Sequence, residues 1–357
     1  MINAGQTENR IFRPRRTIWY YSGMKSPVSV IGAGSWGTCL AHLLGSKGLD
    51  VRLWSFEEEV VRSIRRSRVN TAYLPGVKLP KTIQATTSLE EALAASPVIL
   101  GVVPAQHIRS VFRKAGPFIQ SGATLISASK GIETRTLLTS VQVYEQVLDN
   151  TVRLAAISGP SFAKEVSRQV PTAVTLAVSE GCDPGPLQEL LNTPYFRVYT
   201  HPDLVGVELG GALKNVMAIA AGISDGLGLG HSARAALITR GLAEMIRLGT
   251  RMGARPETFA GLSGLGDLVL TCTGDLSRNR TVGFKLGSGM TLDEILSGMR
   301  MVAEGVQTTR SVHALARKMN VDMPIVNEVH AVLFRRKDPA RAVRKLMTRS
   351  LKSEFDG

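Results

Sequence analysis

Residues 28–37 read Val28-Ser29-Val30-Ile31-Gly32-Ala33-Gly34-Ser35-Trp36-Gly37. A β-branched run ends in three glycines, and a helical pattern (Ser35–Ser46) begins directly behind them. That strand–turn–helix setting is the one in which G-x-G-x-x-G carries a mechanism. Gly32 permits the tight turn. Gly34, without a Cβ, lets a pyrophosphate approach the backbone, and Gly37 lets the helix lie close to the sheet. The free N–H groups at the helix start then face the phosphates, with the helix dipole favouring their charge. Dinucleotide binding is the reading that follows; an ordinary glycine-rich α/β turn is the bland alternative.

Working outward, the pattern predicts strands at Val28–Gly32, Asp50–Trp54, Thr82–Thr86, Pro97–Val103, Ala123–Ser127, Leu154–Ser158, Thr172–Val178 and Phe196–Tyr199. Between them it predicts helices at Ser35–Ser46, Glu57–Arg68, Leu89–Ala95 and Ala105–Ile119. Strands alternating with helices imply α/β architecture, a Rossmann-like doubly wound and mostly parallel sheet. From Asp203 the character turns helical, with candidates at Asp203–Ile223, Ala233–Met252, Thr281–Leu286, Leu292–Met299, Ala303–Met319, Pro324–Phe334 and Pro339–Met347. The expected organisation is an N-terminal tail (1–26), a dinucleotide-binding domain (27–202), an all-α substrate and catalytic domain (203–350) and a short C-terminal tail (351–357). A site is expected in the cleft between the domains.

At 357 residues, two domains are the natural prior. Hydrophobic content of 44% and charged content of 20% suit a soluble globular chain. No apolar run approaches the roughly 20 residues a membrane helix needs. Three scattered cysteines, Cys39, Cys182 and Cys272, show neither C-x-x-C spacing nor a disulfide framework, so no metal is expected and a reducing cytoplasm is the expected compartment. The net charge of +14 gathers partly at Arg10–Arg16 and at Arg335–Lys352. With no nucleic-acid motif beside it, this charge reads as a solvated surface that attracts anionic metabolites, and nucleic acid is not the expected partner. Residues 1–24 lack periodicity; Met24 is the expected start of the chain, or the segment a tail.

The end of the second strand often carries an acid for the ribose 2′-hydroxyl of NAD. Here it reads Trp54-Ser55-Phe56, followed by Glu57 and a helix with Arg62, Arg65 and Arg66. The missing acid and the arginines tilt the reading toward NADP, with NAD open. Ser129-Lys130-Gly131 and Ser158-Gly159-Pro160-Ser161 follow strands and should stand at the ligand edge, the proline suiting a first helical turn. Lys214 and Asn215 interrupt an otherwise small and apolar helix, and a buried lysine has its pKa lowered toward acid–base use. Asp267 follows a glycine-rich turn and suits an ammonium partner. Ser277-Arg278-Asn279-Arg280 opens a helix with a serine N-cap and cationic donors, good chemistry for a phosphate.

These segments together resemble the NAD(P)-dependent glycerol-3-phosphate dehydrogenases of the bacterial type. The resemblance runs from about Pro27 to Arg349 and rests on Gly-Ala-Gly-Ser-Trp-Gly-Thr, Asn-Thr-Ala-Tyr-Leu-Pro-Gly (70–76), Ser-Lys-Gly, Ile-Ser-Gly-Pro-Ser-Phe-Ala-Lys-Glu (157–165), Gly-Gly-Ala-Leu-Lys-Asn-Val, Gly-Leu-Gly-Asp-Leu-Val-Leu-Thr-Cys-Thr and Ser-Arg-Asn-Arg. It implies reversible hydride transfer between NAD(P)H and dihydroxyacetone phosphate, giving sn-glycerol 3-phosphate for glycerophospholipid synthesis. It places Ser35 and Trp36 against the cofactor pyrophosphate, Ala163 at the cofactor, and Lys130 near nicotinamide and substrate. Gly159 and Ser161 would line the substrate pocket, and Lys214 would be the general acid/base with Asp267 beside it. Ser277, Arg278 and Asn279 would hold the substrate phosphate, Arg278 also touching the cofactor, with Val302 and Glu304 on the nicotinamide side. Where the family often has His or Arg, this chain has Phe56, and the N-terminal tail has no counterpart. A homodimer is expected, with the apolar helix at Ala235–Leu248 as a candidate surface. Another two-domain hydroxy-acid or sugar-acid dehydrogenase is the rival enzyme reading; a basic nucleic-acid- or membrane-binding protein is the rival of another class.

Overall fold

The computed structural model describes residues 26–148, 151–299, 303–351 and 353–354. The expected N-terminal tail and Val302 lie outside them. The first half is built from β1 (Val28–Ile31), α1 (Ser35–Ser46), β2 (Val51–Trp54), α2 (Glu58–Ser67), β3 (Ile83–Thr86), α3 (Leu89–Leu93), β4 (Val98–Gly101), α4 (Ile108–Ala115), β5 (Thr124–Ser127), α5 (Ser140–Val147), β6 (Arg153–Ser158), α6 (Ala163–Val166), β7 (Thr172–Val178), α7 (Gly185–Leu191) and β8 (Phe196–His201). Among the described residues these strands form one eight-stranded sheet in the order β3-β2-β1-β4-β5-β6-β7-β8. Every pairing is parallel except β6 with β7. Strand order reverses beside β1, and that switch point opens the ligand crevice beyond the strand C-termini.

The central strands are apolar on both faces because helices cover both. Val28 and Val30 of β1, Leu100 of β4 and Ile126 of β5 pack into one core layer. Their alternates Ile31, Ile99 and Leu125 pack into the other. The edge strand β3 has a different problem, since every second carbonyl points away from β2. Arg65 Nε donates to the Ala85 carbonyl at 2.9 Å, and Arg68 Nη1 to that of Ile83 at 2.9 Å. Arg65 of α2 and Arg68, its C-cap, thus seal an open sheet edge.

The second half is helical: α8 (Leu204–Gly226), α9 (Gly230–Arg251), α10 (Asp267–Thr273), α11 (Arg278–Gly287), α12 (Leu292–Ser297), α13 (Glu304–Lys318), α14 (Pro324–Arg335) and α15 (Pro339–Met347). Helix α8 is its axis, buried from Gly206 to Ser224. It is long and apolar enough to cross a membrane, yet it is the core of this half. Glycines let α11 pack against its backbone: a Cβ at Gly222 would meet the Arg280 carbonyl at 2.0 Å, and one at Gly283 the Ile219 carbonyl at 2.0 Å.

Several local expectations give way. Helices α5, α6 and α7 stand where the sequence reading has none; each is at most eight residues, too short for a visible period. The predicted helix Ala105–Ile119 divides into a 3₁₀ turn, α4 and a second 3₁₀ turn at Gly116-Pro117-Phe118. Pro160 is not in a first helical turn: α6 begins only at Ala163, and Pro160 lies in the bend at 159–160 that follows β6. Helix α11 starts at Arg278 rather than at Thr281, set by its serine cap.

Candidate active site

The glycine turn behaves as its spacing requires. Gly32 has φ +118°, and a Cβ there would lie 2.6 Å from the Val102 carbonyl. A Cβ at Gly37 would lie 1.8 Å from the Gly32 carbonyl, whereas one at Gly34 meets nothing within 4 Å. Gly32 and Gly37 are therefore packing glycines, and Gly34 faces open space. The first turn of α1 holds no acidic residue and no side-chain cap, leaving its N–H groups to an anion. A bound dinucleotide pyrophosphate fits this cradle. The cradle is held from outside by Asn70, whose Nδ2 donates to the Ala33 carbonyl and to Thr38 Oγ1, both at 2.8 Å. Ser35 Oγ donates to the Tyr73 carbonyl at 2.5 Å. The Trp36 indole Nε1 is buried without a partner among the described residues.

Along the crevice, β5 ends in the loop carrying Lys130, α8 carries Lys214, and α10 begins with Asp267. The Asp267 carboxylate, fully buried, joins the two amines. Lys130 Nζ donates to Asp267 Oδ2 at 2.7 Å and to the Gly159 carbonyl at 3.1 Å. Lys214 Nζ donates to Asp267 Oδ1 and, at 2.7 Å, to Thr271 Oγ1. The expected glycine-rich turn before Asp267 is itself helical: a π-helical stretch, Leu262–Gly266, runs without a break into α10, so Asp267 stands within a continuous helix. Burial is the main cause that lowers the Lys214 pKa to about 8; Asp267 opposes it and the Lys130 charge adds to it. Two ammonium groups against one carboxylate leave one net positive charge, a centre able to stabilise an oxyanion and to supply its proton.

A second chain of bonds fixes the walls. Asn215 Nδ2 donates to the Lys130 carbonyl at 3.2 Å, Asn279 Nδ2 to Asn215 Oδ1 at 2.9 Å, and the Gly305 N–H to Asn279 Oδ1 at 3.0 Å. The Ala105 N–H donates to Glu304 Oε1 at 3.3 Å, and burial raises the Glu304 pKa. Seven segments, after β4, β5 and β6 and from α8, α10, α11 and α13, thus meet at one place.

Family comparison decides what this place belongs to. The description "NAD-dependent glycerol-3-phosphate dehydrogenase N-terminus" matches residues 27–181, and the corresponding C-terminus matches residues 203–344.

The chain belongs to the NAD-dependent glycerol-3-phosphate dehydrogenase family.

It is 59% identical over 333 residues to the glycerol-3-phosphate dehydrogenase [NAD(P)+] of Geobacter metallireducens, covering 93% of this chain and 99% of that one. The Geobacter sulfurreducens enzyme of the same name is 57% identical over 333 residues, with the same coverage. Among solved structures, glycerol-3-phosphate dehydrogenase from Coxiella burnetii is 44% identical with a TM-score of 0.88, covering 91% of this chain and 99% of that chain. This chain is accordingly an NAD(P)-dependent oxidoreductase, a glycerol-3-phosphate dehydrogenase that takes a small-molecule substrate and an NAD or NADP cofactor.

The dehydrogenase brings Lys130, Lys214, Asp267, Gly159, Ser161, Arg278, Asn279 and Glu304 around one crevice, but not in equivalent states. Ser161 Oγ donates to the Gly159 carbonyl at 3.0 Å, and Ala163 opens α6. Ser277 Oγ accepts from the Arg280 N–H at 3.2 Å, so its hydroxyl caps α11. Asn279 spends its amide on the wall. Arg280 is held by Asp225 and Asp275. Arg278 is exposed and makes no ion pair or hydrogen bond among the described residues. Of the arginines expected to favour a 2′-phosphate, Arg65 seals β3, and Arg62 lies 3.3 Å from Glu58 on an exposed helix face. Three residues were not singled out. Thr271 lies one helical turn beyond Asp267 in Thr-Cys-Thr, a spacing that could have signalled it; Asn70 and Tyr73 were visible only inside their motif.

Proposed function

We propose that this glycerol-3-phosphate dehydrogenase reduces dihydroxyacetone phosphate reversibly to sn-glycerol 3-phosphate, with Lys214 as general acid/base. The observation that carries the reading is the single buried carboxylate of Asp267 shared by Lys130 and Lys214 at the crevice. A bound reduced nicotinamide supplies the hydride. The chain supplies everything else. Lys214 holds a proton at Nζ and releases it to the oxygen growing negative at C2; its lowered pKa makes that release easier. Lys130 adds positive potential, and Asp267 keeps both amines aimed into the crevice. Arg278, exposed and without a hydrogen bond or ion pair among the described residues, holds the substrate phosphate; Asn279 and Ser277 set its position, and Gly159 and Ser161 line the pocket. Gly34, Ser35, Trp36 and Ala163 hold the dinucleotide over the turn that Gly32 and Gly37 shape, with Glu304, and with Val302 by resemblance, on the nicotinamide side.

The product serves glycerophospholipid synthesis in the cytoplasm, and the active form is a homodimer; the half-buried apolar side chains of α9 support the latter. Oxidation of NADH and NADPH, followed at the nicotinamide absorbance with dihydroxyacetone phosphate and with a 2-keto acid, tests the assignment. Turnover confined to the phosphate substrate is expected. Turnover confined to the keto acid transfers the chain to the hydroxy-acid reading, and sedimentation at micromolar protein tests the dimer.

A further inference from the structure

We infer that Glu57 reads the adenosine ribose and excludes a 2′-phosphate, so that this chain binds NADH in preference to NADPH. The inference rests on the dinucleotide reading of the glycine turn and adds a discrimination to it. The strand β2 ends without an acid, and Glu57 comes three residues late. The fold brings it back. Glu57 is the N-cap of α2, and its Oε1 accepts from Tyr73 Oη at 2.9 Å. Tyr73 is bound in turn to the glycine turn through its carbonyl and Ser35 Oγ, and through its N–H to Asn70 Oδ1 at 3.1 Å. One oxygen of Glu57 is thus fixed beside the cradle. The other has no partner among the described residues and suits a ribose hydroxyl, which donates. Facing a 2′-phosphate, the same oxygen is a like charge.

Cations that would offset this repulsion are elsewhere. Arg65 and Arg68 are committed to the β3 carbonyls, while Arg62, on the exposed face of α2, lies 3.3 Å from Glu58, which offsets its charge. Arg66 lies in the last turn of α2, about 12 Å along the axis from its start. Lys78 and Lys81 precede β3 and sit by the strand N-termini, the edge opposite the ligand; the Leu79 N–H bonds the Arg68 carbonyl there at 2.7 Å. Glu58 and Glu59 add two carboxylates to the first turn of α2. Phe56, 85% exposed at the end of β2, offers a ring face and no charge.

The test is equilibrium binding of NADH and NADPH, by nicotinamide fluorescence and calorimetry without substrate, to the native protein, Glu57→Gln and Phe56→Arg. Glutamine keeps an acceptor for Tyr73, so the local geometry survives. The native protein should bind NADH at least about tenfold more tightly, and Glu57→Gln should bring the two within about threefold by tightening NADPH. Phe56→Arg should tighten NADPH further. Native NADPH binding equal to or tighter than NADH, or an unchanged ratio in Glu57→Gln, overturns the discrimination alone. Failure of a folded native protein to bind either nucleotide overturns the dinucleotide reading and this inference with it.

Discussion

Replacing Asp267 by asparagine removes the anion that joins the buried Lys214 to the half-buried Lys130 and leaves the packing almost unchanged. In the native enzyme burial depresses the Lys214 pKa to about 8 while Asp267 holds it up. A unit-charge attraction at contact is worth about 4 kcal/mol at an effective dielectric near 20, or about three pK units, and relaxation reduces this to about two. Without it, burial and the Lys130 charge lose their main opponent. Ketone reduction needs the ammonium form of Lys214, so the rate falls as pH rises through its pKa. The alkaline limb should therefore move from near pH 8 in the native enzyme to about pH 6 in Asp267→Asn. At pH 8 the reduction rate should drop by about fiftyfold. The measurement is kcat for NADH oxidation against pH, with the circular dichroism spectrum and melting temperature followed alongside. Thr271→Val is the control: it removes a hydroxyl acceptor 2.7 Å from Lys214 but keeps the charge, and should move the limb by less than about one unit. An Asp267→Asn enzyme that stays folded with its alkaline limb in the native place would falsify the electrostatic account of this centre.

Other outcomes follow from the same geometry. Lys214→Ala should lower kcat by about 10²–10⁴ with the NADH dissociation constant retained; near-native turnover removes it from the chemistry. Arg278→Ala should raise KM for dihydroxyacetone phosphate more than it lowers kcat, and an unchanged KM argues against a phosphate clamp. Gly34→Ala adds a methyl where nothing lies within 4 Å, at a residue with φ −67°, so the melting temperature should hold while NADH binding weakens by at least about tenfold. Glu244 is buried and accepts the Ile325 and Val326 N–H groups at 2.7 and 3.2 Å; burial pushes its pKa from 4.5 up to about 7. The folded state holds that proton more tightly, so the stabilisation is full below pH 4.5 and lost as pH rises through 7. Urea unfolding at pH 5 and pH 8 should show a loss about 2–3 kcal/mol smaller in Glu244→Gln than in the native protein.

Much of this molecule is legible as a string of letters, because local physics fixes it. The glycine spacing sets a turn whose backbone only glycine tolerates. Apolar runs of four or five residues demand cover on both faces, and a long small-residue helix demands burial. Lys214 announces itself by standing in such a helix, and Ser277 by its capping position. Partnership is different, because it depends on which carbonyl or carboxylate arrives from a distant segment. Arg65 of α2 reads as a phosphate ligand until the edge of β3 claims it. Glu57 reads as displaced until Tyr73, sixteen positions on, ties it back to the glycine turn. Asp267 joins two lysines that lie 137 and 53 residues away in the chain. Short-range rules place a group on its element; the shared proton, and hence the chemistry, comes from packing elements together until a buried charge has no partner but the one opposite it.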